Sequence, residues 1–169
     1  NDGLITARKL NVELKNSDSN IEKIVDIGFV GEPKSLNKNI LEDFIKKDQI
    51  PVISPLGKDE ENFTYNINAD TVAGFVAGEL KASKLLLLTD VPGIFNEEKK
   101  LISSLTLKEA IEISGMDYIS GGMKPKIQTC IDAMEKGVSK STILDGRIPH
   151  SVILELFTEH GIGTQISNN

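Results

Sequence analysis

The sequence predicts an α/β fold. Short aliphatic runs alternate with stretches of helical period, and clusters of Gly, Pro, Asn and Asp separate them. Aromatic residues make up only 5% of the 169-residue chain and Trp is absent. The core must therefore be built from Ile, Leu and Val, which suits strands of a mainly parallel sheet covered on both faces.

The elements are read in order along the chain. Leu4–Leu14, preceded by Asn1-Asp2-Gly3, alternates in places as a strand or hairpin arm does. Ile24–Val30 reads as a strand ending at Gly31. Ser35 reads as the N-cap of a helix with Leu36, Ile40, Leu41, Phe44 and Ile45 on one stripe. Ile50–Ser54 reads as a short buried strand. Asn68 or Asp70 opens a helix running to about Ala82, rich in Ala and Gly for close packing. Lys84–Thr89 is the clearest buried strand. Thr106 and Glu109 have the T-x-x-E spacing of a capping box, for a helix through Ser114. Pro125 fits the first turn of the next helix, where its missing N–H costs nothing, and Ile127, Ile131 and Met134 form its apolar stripe. Lys140–Leu144 is a strand closed by an Asp145-Gly146 turn. Pro149 begins a helix carrying Val152, Ile153, Leu156 and Phe157, which Gly161-Ile162-Gly163 ends before a last strand.

Composition excludes several function classes. Lys plus Arg number 19 against 25 Asp plus Glu, a net charge of −6. An acidic chain is a poor binder of nucleic acid, which needs a basic surface to displace counterions, although a local basic site for a small anion is still allowed. The one cysteine, Cys130, excludes an internal disulfide framework and reads as a small core residue. His150 and His160 are too few to build a metal site without carboxylates. The longest pure apolar run, Leu85–Leu88, is far too short for a bilayer span, and no basic-plus-apolar signal segment opens the sequence. The expected compartment is the cytoplasm. Residue 1 falls in a turn with no strand before it, so the sequence reads as the C-terminal part of a longer chain.

Three polar islands sit at strand ends or helix starts. The first is Tyr65-Asn66-Ile67-Asn68-Ala69-Asp70, where two Asn and an Asp exceed what one cap needs, beside helix N–H groups able to receive an anion. The second is Thr89-Asp90-Val91-Pro92-Gly93-Ile94, at the carboxyl end of a strand, where open α/β sheets bind ligands and where an ordinary turn also fits. The third is Ser120-Gly121-Gly122-Met123-Lys124-Pro125-Lys126. Its glycines permit close approach of a phosphate, and Lys126 in a first helical turn opposes the helix dipole unless an anion shares the site; the plain alternative is a solvated Lys after a flexible loop. No G-x-x-x-x-G-K-[ST] sequence is present. An anion-binding Lys, a carboxylate to hold it and loops at strand ends suit phosphoryl transfer without a P-loop.

These residues resemble a known family. Val25–Glu32, Ile50–Pro55, Tyr65–Gly74, Leu86–Gly93 and the G-G-M-x-P-K segment Gly121–Lys126 are similar, in order, to the signature segments of N-acetyl-L-glutamate kinase, as are Pro149–Thr158 and Gly161–Thr164. The resemblance implies the amino-acid kinase fold, an α/β/α sandwich around a mainly parallel sheet, with residues 1–169 forming a single C-terminal, nucleotide-binding portion. It implies MgATP-dependent phosphorylation of the side-chain carboxylate of N-acetyl-L-glutamate, a step of arginine synthesis, with the Mg²⁺ held mainly by the nucleotide phosphates. By the same resemblance Asn66 binds the acetylglutamate with Asn68 beside it, Asp70 orients the lysines, and Lys126 stabilises the transferring phosphoryl group. Thr89, Asp90, Val91, Pro92, Gly93, Ile94 and Phe95 lie around ATP, together with Tyr118, Ile119, Ser120 and Met123. Glu155 and Gly161 lie near an arginine effector, and the parent is a homo-oligomer.

The chemistry is consistent with those roles. A carboxylate nucleophile, with an ordinary pKa of about 4.3, is ionised at neutral pH, so no general base is required. The family's Lys-x-Gly-Gly phosphate loop, Gly-rich loop and substrate Arg are absent, so turnover by these residues alone is expected to be negligible. Three alternatives stay open: another amino-acid kinase acting on aspartate, glutamate, carbamate or UMP, a nucleotide-sensing module without activity, and a bare assembly domain.

Overall fold

The computed structural model describes residues 3–15, 22–159 and 161–168. Asn1-Asp2 of the expected opening turn, and His160, lie outside the described residues. The chain divides into two compact units, Asn1–Val72 and Ala73–Asn169. Each contains a four-stranded mixed sheet, so the α/β class holds, while the ladders mix parallel and antiparallel pairs where a mainly parallel sheet was expected.

In the first unit β1 (Ile5–Lys9), β4 (Gly31–Leu36), β5 (Leu56–Lys58) and β6 (Thr64–Asn66) form a sheet in the order β4-β1-β5-β6. β1 runs antiparallel to β4, from Ile5 opposite Leu36 to Lys9 opposite Gly31, and parallel to β5. The hairpin β2 (Val12–Lys15) and β3 (Glu22–Val25) pairs separately. Among the described residues of this unit, Ile5, Ala7, Leu41, Tyr65, Ile67 and Val72 are buried apolar residues.

Three expectations are corrected here. The strand read over Ile24–Val30 ends at Val25, and Gly31, taken as its terminator, begins β4 instead. β4 is an edge strand with Pro33 inside it, which a sheet tolerates only where that N–H is not required, and the ladder is irregular between Thr6 and Ala7 opposite it. Ser35 lies in β4 and caps nothing; α1 (Lys38–Lys46) starts after Asn37. Ile50–Ser54 is no strand: Ile50 and Val52 are 92% and 98% exposed. Together with Leu4, Ile40, Leu41 and Phe44 this segment lines an open groove of about 600 Å³.

The division between the units falls inside α2 (Ala69–Glu79). The second unit continues with β7 (Lys84–Thr89), β8 (Ser104–Thr106), α3 (Leu107–Ser114), α4 (Met123–Glu135), β9 (Lys140–Asp145), α5 (Ser151–Phe157) and β10 (Thr164–Ser167). Its sheet order is β7-β9-β10-β8, with β9 parallel to β7 and β10 antiparallel to β9 but parallel to β8. α3 begins as expected: Thr106 Oγ1 accepts from the Glu109 N–H at 3.2 Å, and the Glu109 carboxylate accepts from the Thr106 N–H at 2.7 Å. On α4, Ile127, Cys130, Ile131 and Met134 follow helical spacing, and all are buried in one cluster with Leu85, Leu87, Ile143 and Ile166. No helix among the described residues is long and apolar enough to cross a membrane.

α5 inverts its expected polarity. Val152, Ile153, Leu156 and Phe157 are exposed, Phe157 at 80%, whereas Ser151 and Glu155 are buried. The cause is a polar network around Glu155.

Candidate functional site

The predicted residues fall in both units. In the first, Asn66 ends β6; its N–H donates to the Phe29 carbonyl at 2.8 Å, and its side chain is exposed. Asn68 is the cap of α2: its Oδ1 accepts from the Thr71 N–H at 3.2 Å and its carbonyl from the Val72 N–H at 3.0 Å. The side chain expected beside substrate is thus engaged in capping. Asp70 is half-buried in the first turn of the same helix, where a carboxylate is favoured by the helix dipole. Phe29 and Phe63 stand tilted beside one another next to Asn66, and Tyr65 donates its hydroxyl to Asp59 at 2.9 Å, which holds the phenol above its ordinary pKa.

In the second unit the parallel strands β7 and β9 end level, with Thr89 opposite Asp145. The loop Asp90–Phe95 leaves β7 at this carboxyl edge, the usual ligand-binding edge of an α/β sheet. Asp90 is exposed and Ile94 fully buried, so the loop rises to a crest and returns to the core. Its start is tied down by the Gly146 N–H donating to the Thr89 carbonyl at 2.8 Å. Its return is tied down by the Ile94 N–H donating to Thr164 Oγ1 at 2.8 Å. Gly93 passes Thr164 so closely that a Cβ there would lie 2.5 Å from the hydroxyl oxygen, so only glycine fits.

Tyr118 and Ser120 are exposed around the buried Ile119, just before α4. Met123, the first residue of α4, packs on the core cluster, and Lys126 is half-buried in the same first turn. The cap position, Gly122, supplies no side-chain acceptor, which leaves the first N–H groups of α4 without a capping side chain.

Glu155 sits deeper than a surface helix residue. Its Oε1 accepts from Lys84 Nζ at 3.0 Å and from Thr142 Oγ1 at 3.1 Å, and its Oε2 from the Ile162 N–H at 2.9 Å. Burial pushes its carboxyl pKa up, but the Ile162 N–H and the Lys84 ammonium outweigh that and hold it below the ordinary range. Gly161 lies against the same carboxylate with φ +59°, and a Cβ there would meet Oε2 at 2.5 Å.

Four groups were missed by sequence reasoning. Lys84 and Thr142 sit within strands, where nothing local marks them as partners of Glu155. Thr164 looks like an ordinary strand residue. Asp145 was taken only as a turn residue, yet it is 5% exposed and accepts from Arg147 Nε at 3.0 Å and Nη2 at 2.8 Å. The Arg147 guanidinium holds the Asp145 carboxyl below its ordinary range. The Asp-Gly-Arg sequence directly after an aliphatic strand was the available signal. Among the described residues no group of three or more His, Cys, Asp or Glu is placed to hold a metal ion.

The comparisons with known proteins agree with this architecture. The model of the amino acid kinase family matches residues 3–145. The acetylglutamate kinase of Parvibaculum lavamentivorans is 52% identical over 163 residues, covering 96% of this chain and 54% of that protein. The acetylglutamate kinase of Gluconobacter oxydans is 51% identical over 164 residues, 97% of this chain and 56% of that one. The chain spans about half the length of the curated relatives it matches. Among solved structures, N-acetylglutamate synthase from Neisseria gonorrhoeae, complexed with coenzyme A and L-arginine, superposes with a TM-score of 0.85 at 28% identity, covering 99% of this chain and 37% of that one. Carbamate kinase from Giardia lamblia bound to AMP-PNP superposes at 0.65 with 16% identity, covering 93% and 52%, a likeness of fold alone.

Proposed function

The chain belongs to the amino acid kinase family, and we propose that it is part of an acetylglutamate kinase, which transfers the γ-phosphoryl group of MgATP to the side-chain carboxylate of N-acetyl-L-glutamate. The observation that carries this reading is identity of about half the residues, over nearly the whole chain, to proteins named acetylglutamate kinase.

In this reading Asn66 binds acetylglutamate from the end of β6. Asn68, whose Oδ1 caps α2, serves the substrate by fixing the backbone next to Asn66. Lys126 neutralises charge on the transferring phosphoryl group and Asp70 orients it. The acceptor carboxylate needs no base, so the protein contributes positioning and compensation of negative charge. The Thr89–Phe95 loop, Tyr118–Ser120 and Met123 surround the nucleotide, whose phosphates carry the Mg²⁺ into the site. Glu155 and Gly161 belong to an arginine effector site. Glu155 already accepts from Lys84 at Oε1 and from the Ile162 N–H at Oε2, so a guanidinium arriving there competes with both donors. The protein works in the cytoplasm as a homo-oligomer.

The test uses the protein that carries these residues, with MgATP, acetylglutamate and hydroxylamine to trap the acyl phosphate. Hydroxamate should form with acetylglutamate and not with aspartate or carbamate; hydroxamate with one of those instead would reassign the substrate. Lys126→Ala should lower kcat by about 10²–10³-fold with a smaller change in ATP affinity, and Lys126→Arg should also be impaired. Near wild-type turnover in Lys126→Ala would remove that residue from the mechanism. The 169 residues by themselves, lacking a Lys-x-Gly-Gly loop, should turn over negligibly. An arginine titration of wild type beside Glu155→Ala tests the effector role, which identical curves would eliminate. Sedimentation of a single-chain species would contradict the oligomer.

A further inference from the structure

We propose that Thr164 is a positioning residue for the nucleotide: its hydroxyl sets the height and path of the Thr89–Phe95 loop, and the Glu155-held turn before it sets the place of Thr164. The inference rests on the nucleotide reading of that loop and adds to it a residue and a route of control.

The geometry is confined to the second unit. Thr164 Oγ1 accepts from the Ile94 N–H at 2.8 Å and donates to the Ile102 carbonyl at 2.6 Å. Those two residues also bond to each other, the Ile102 N–H donating to the Ile94 carbonyl at 2.8 Å. Between them Phe95 bridges to Leu101, so Ile94 and Ile102 form the base of one excursion of the chain. One fully buried hydroxyl therefore bonds to both sides of that base, 70 and 62 residues away in sequence. Gly93 adds a steric element, because its backbone rests against the same oxygen. Upstream, the loop is fixed where Gly146 N–H meets the Thr89 carbonyl. Asp90 to Pro92 thus hang between two anchors, one at each end of the crest.

A threonine in a strand is ordinary, and its methyl would serve a purely structural role equally well in valine. What differs is the pair of polar contacts. Valine has the same shape and can make neither, so the Ile94 N–H and Ile102 carbonyl would lose this partner inside the core. The loop would keep its covalent path and lose its registration against β10.

The anchor is itself held from behind. Ile162, two residues before Thr164, donates its N–H to Glu155 Oε2 at 2.9 Å, and Gly161 packs on the same oxygen. Lys84 draws on the other oxygen of that carboxylate, and Lys84 opens β7, the strand that delivers Thr89 to the loop. A group that engages the Glu155 carboxylate therefore acts on both the strand entering the nucleotide loop and the turn that anchors its return.

The experiment measures MgADP affinity of the protein carrying this chain by calorimetry, for wild type, Thr164→Val, Thr164→Ser and Glu155→Ala, with KM for acetylglutamate as the reference. Thr164→Val should weaken MgADP about tenfold and leave KM for acetylglutamate unchanged, and Thr164→Ser, which keeps the hydroxyl, should restore most of the affinity. Glu155→Ala should weaken MgADP in the same direction, and its effect should be less than additive with Thr164→Val because both act through one anchor. Equal MgADP affinity in wild type and Thr164→Val would overturn the proposal while leaving the nucleotide reading intact. Wild type that binds no MgADP would overturn both. If Thr164→Val does not fold, the amide of Ile94 in wild type decides: MgADP should slow its hydrogen exchange at least about tenfold, and an unchanged rate in a protein that binds MgADP would overturn the proposal.

Discussion

The two units place the same kinds of contact in different surroundings. In the first, Lys34 and Glu60 meet at 2.7 Å with side chains 53% and 81% exposed. In the second, Lys84 and Glu155 meet at 3.0 Å with side chains 20% and 4% exposed. The shorter pair is the weaker determinant of structure, because water screens its attraction and holds the separated charges nearly as well. The longer pair cannot be separated without leaving a carboxylate inside the protein. Apolar residues show the same contrast: Ile50 and Val52 of the first unit lie almost wholly in solvent, whereas Ile143 and Leu144 of the second are fully buried. Position relative to water decides what each contact is worth, and the second unit has most of its determinants inside.

The largest test of that contrast is Ile143→Ala in the centre of β9, which should cost about 2–5 kcal/mol in denaturant unfolding. A loss under about 1 kcal/mol would mean that the second core relaxes around the cavity and is no better packed than the first.

Glu155→Gln comes next, at about 1–3 kcal/mol, since it keeps the shape and leaves Lys84 without its counter-charge. Its effect should depend on pH with a definite sign. The folded carboxyl lies below its ordinary range, so the stability it contributes is fully present above the unfolded value of about 4.3 and is lost as pH falls through the lower folded value. Melting temperatures of wild type and variant should differ at pH 7 and converge in acid. A gap that widens on acidification would show that the carboxylate is not the stabilising form.

Thr106→Ala removes the acceptor of the α3 capping box and should cost about 1 kcal/mol, read from unfolding of the second unit. The smallest effect belongs to the first unit: Val52→Ser should change stability by less than about 0.5 kcal/mol, because the residue is in water already. A loss comparable with Ile143→Ala would break the comparison outright.

Local chemistry was the legible part of the sequence. The Thr106–Glu109 box and the Asn68 cap of α2 involve residues three apart, and strands β7 and β9 are short aliphatic runs bounded by turn residues. What failed needed information about partners. Ile50–Ser54 is apolar enough for a buried strand, but a strand requires a neighbour, and apolarity does not say where one is. Ser35 is a good capping residue that the β1 ladder claimed first, pairing it with Thr6. On α5 the apolar stripe predicted the wrong face, because the Glu155 network draws on Lys84, 71 residues earlier, and on a backbone N–H after the helix. Of the candidate site, the loops at strand and helix ends were legible from turn residues and resemblance. The Thr164 hydroxyl that ties the return of the Thr89–Phe95 loop was not, and Glu155 was singled out by resemblance alone, since its partners Lys84 and Thr142 lie 71 and 13 residues away and nothing local marks them.

The order β7-β9-β10-β8 has a consequence for how the chain reaches this state. β10 follows the other three strands of this sheet in sequence yet lies in its interior, antiparallel to β9 on one side and parallel to β8 on the other. During synthesis β8 therefore emerges and waits, at about 5–20 residues per second, for roughly 3–12 s before the strand that joins it to β9 exists. Throughout that interval the edge of β8 that faces β10 in the finished sheet is open to other chains, and from its own synthesis onward so is that of β9. The four residues that join β8 to β9, Thr164–Ser167, open with the threonine that bonds to the base of the Thr89–Phe95 loop.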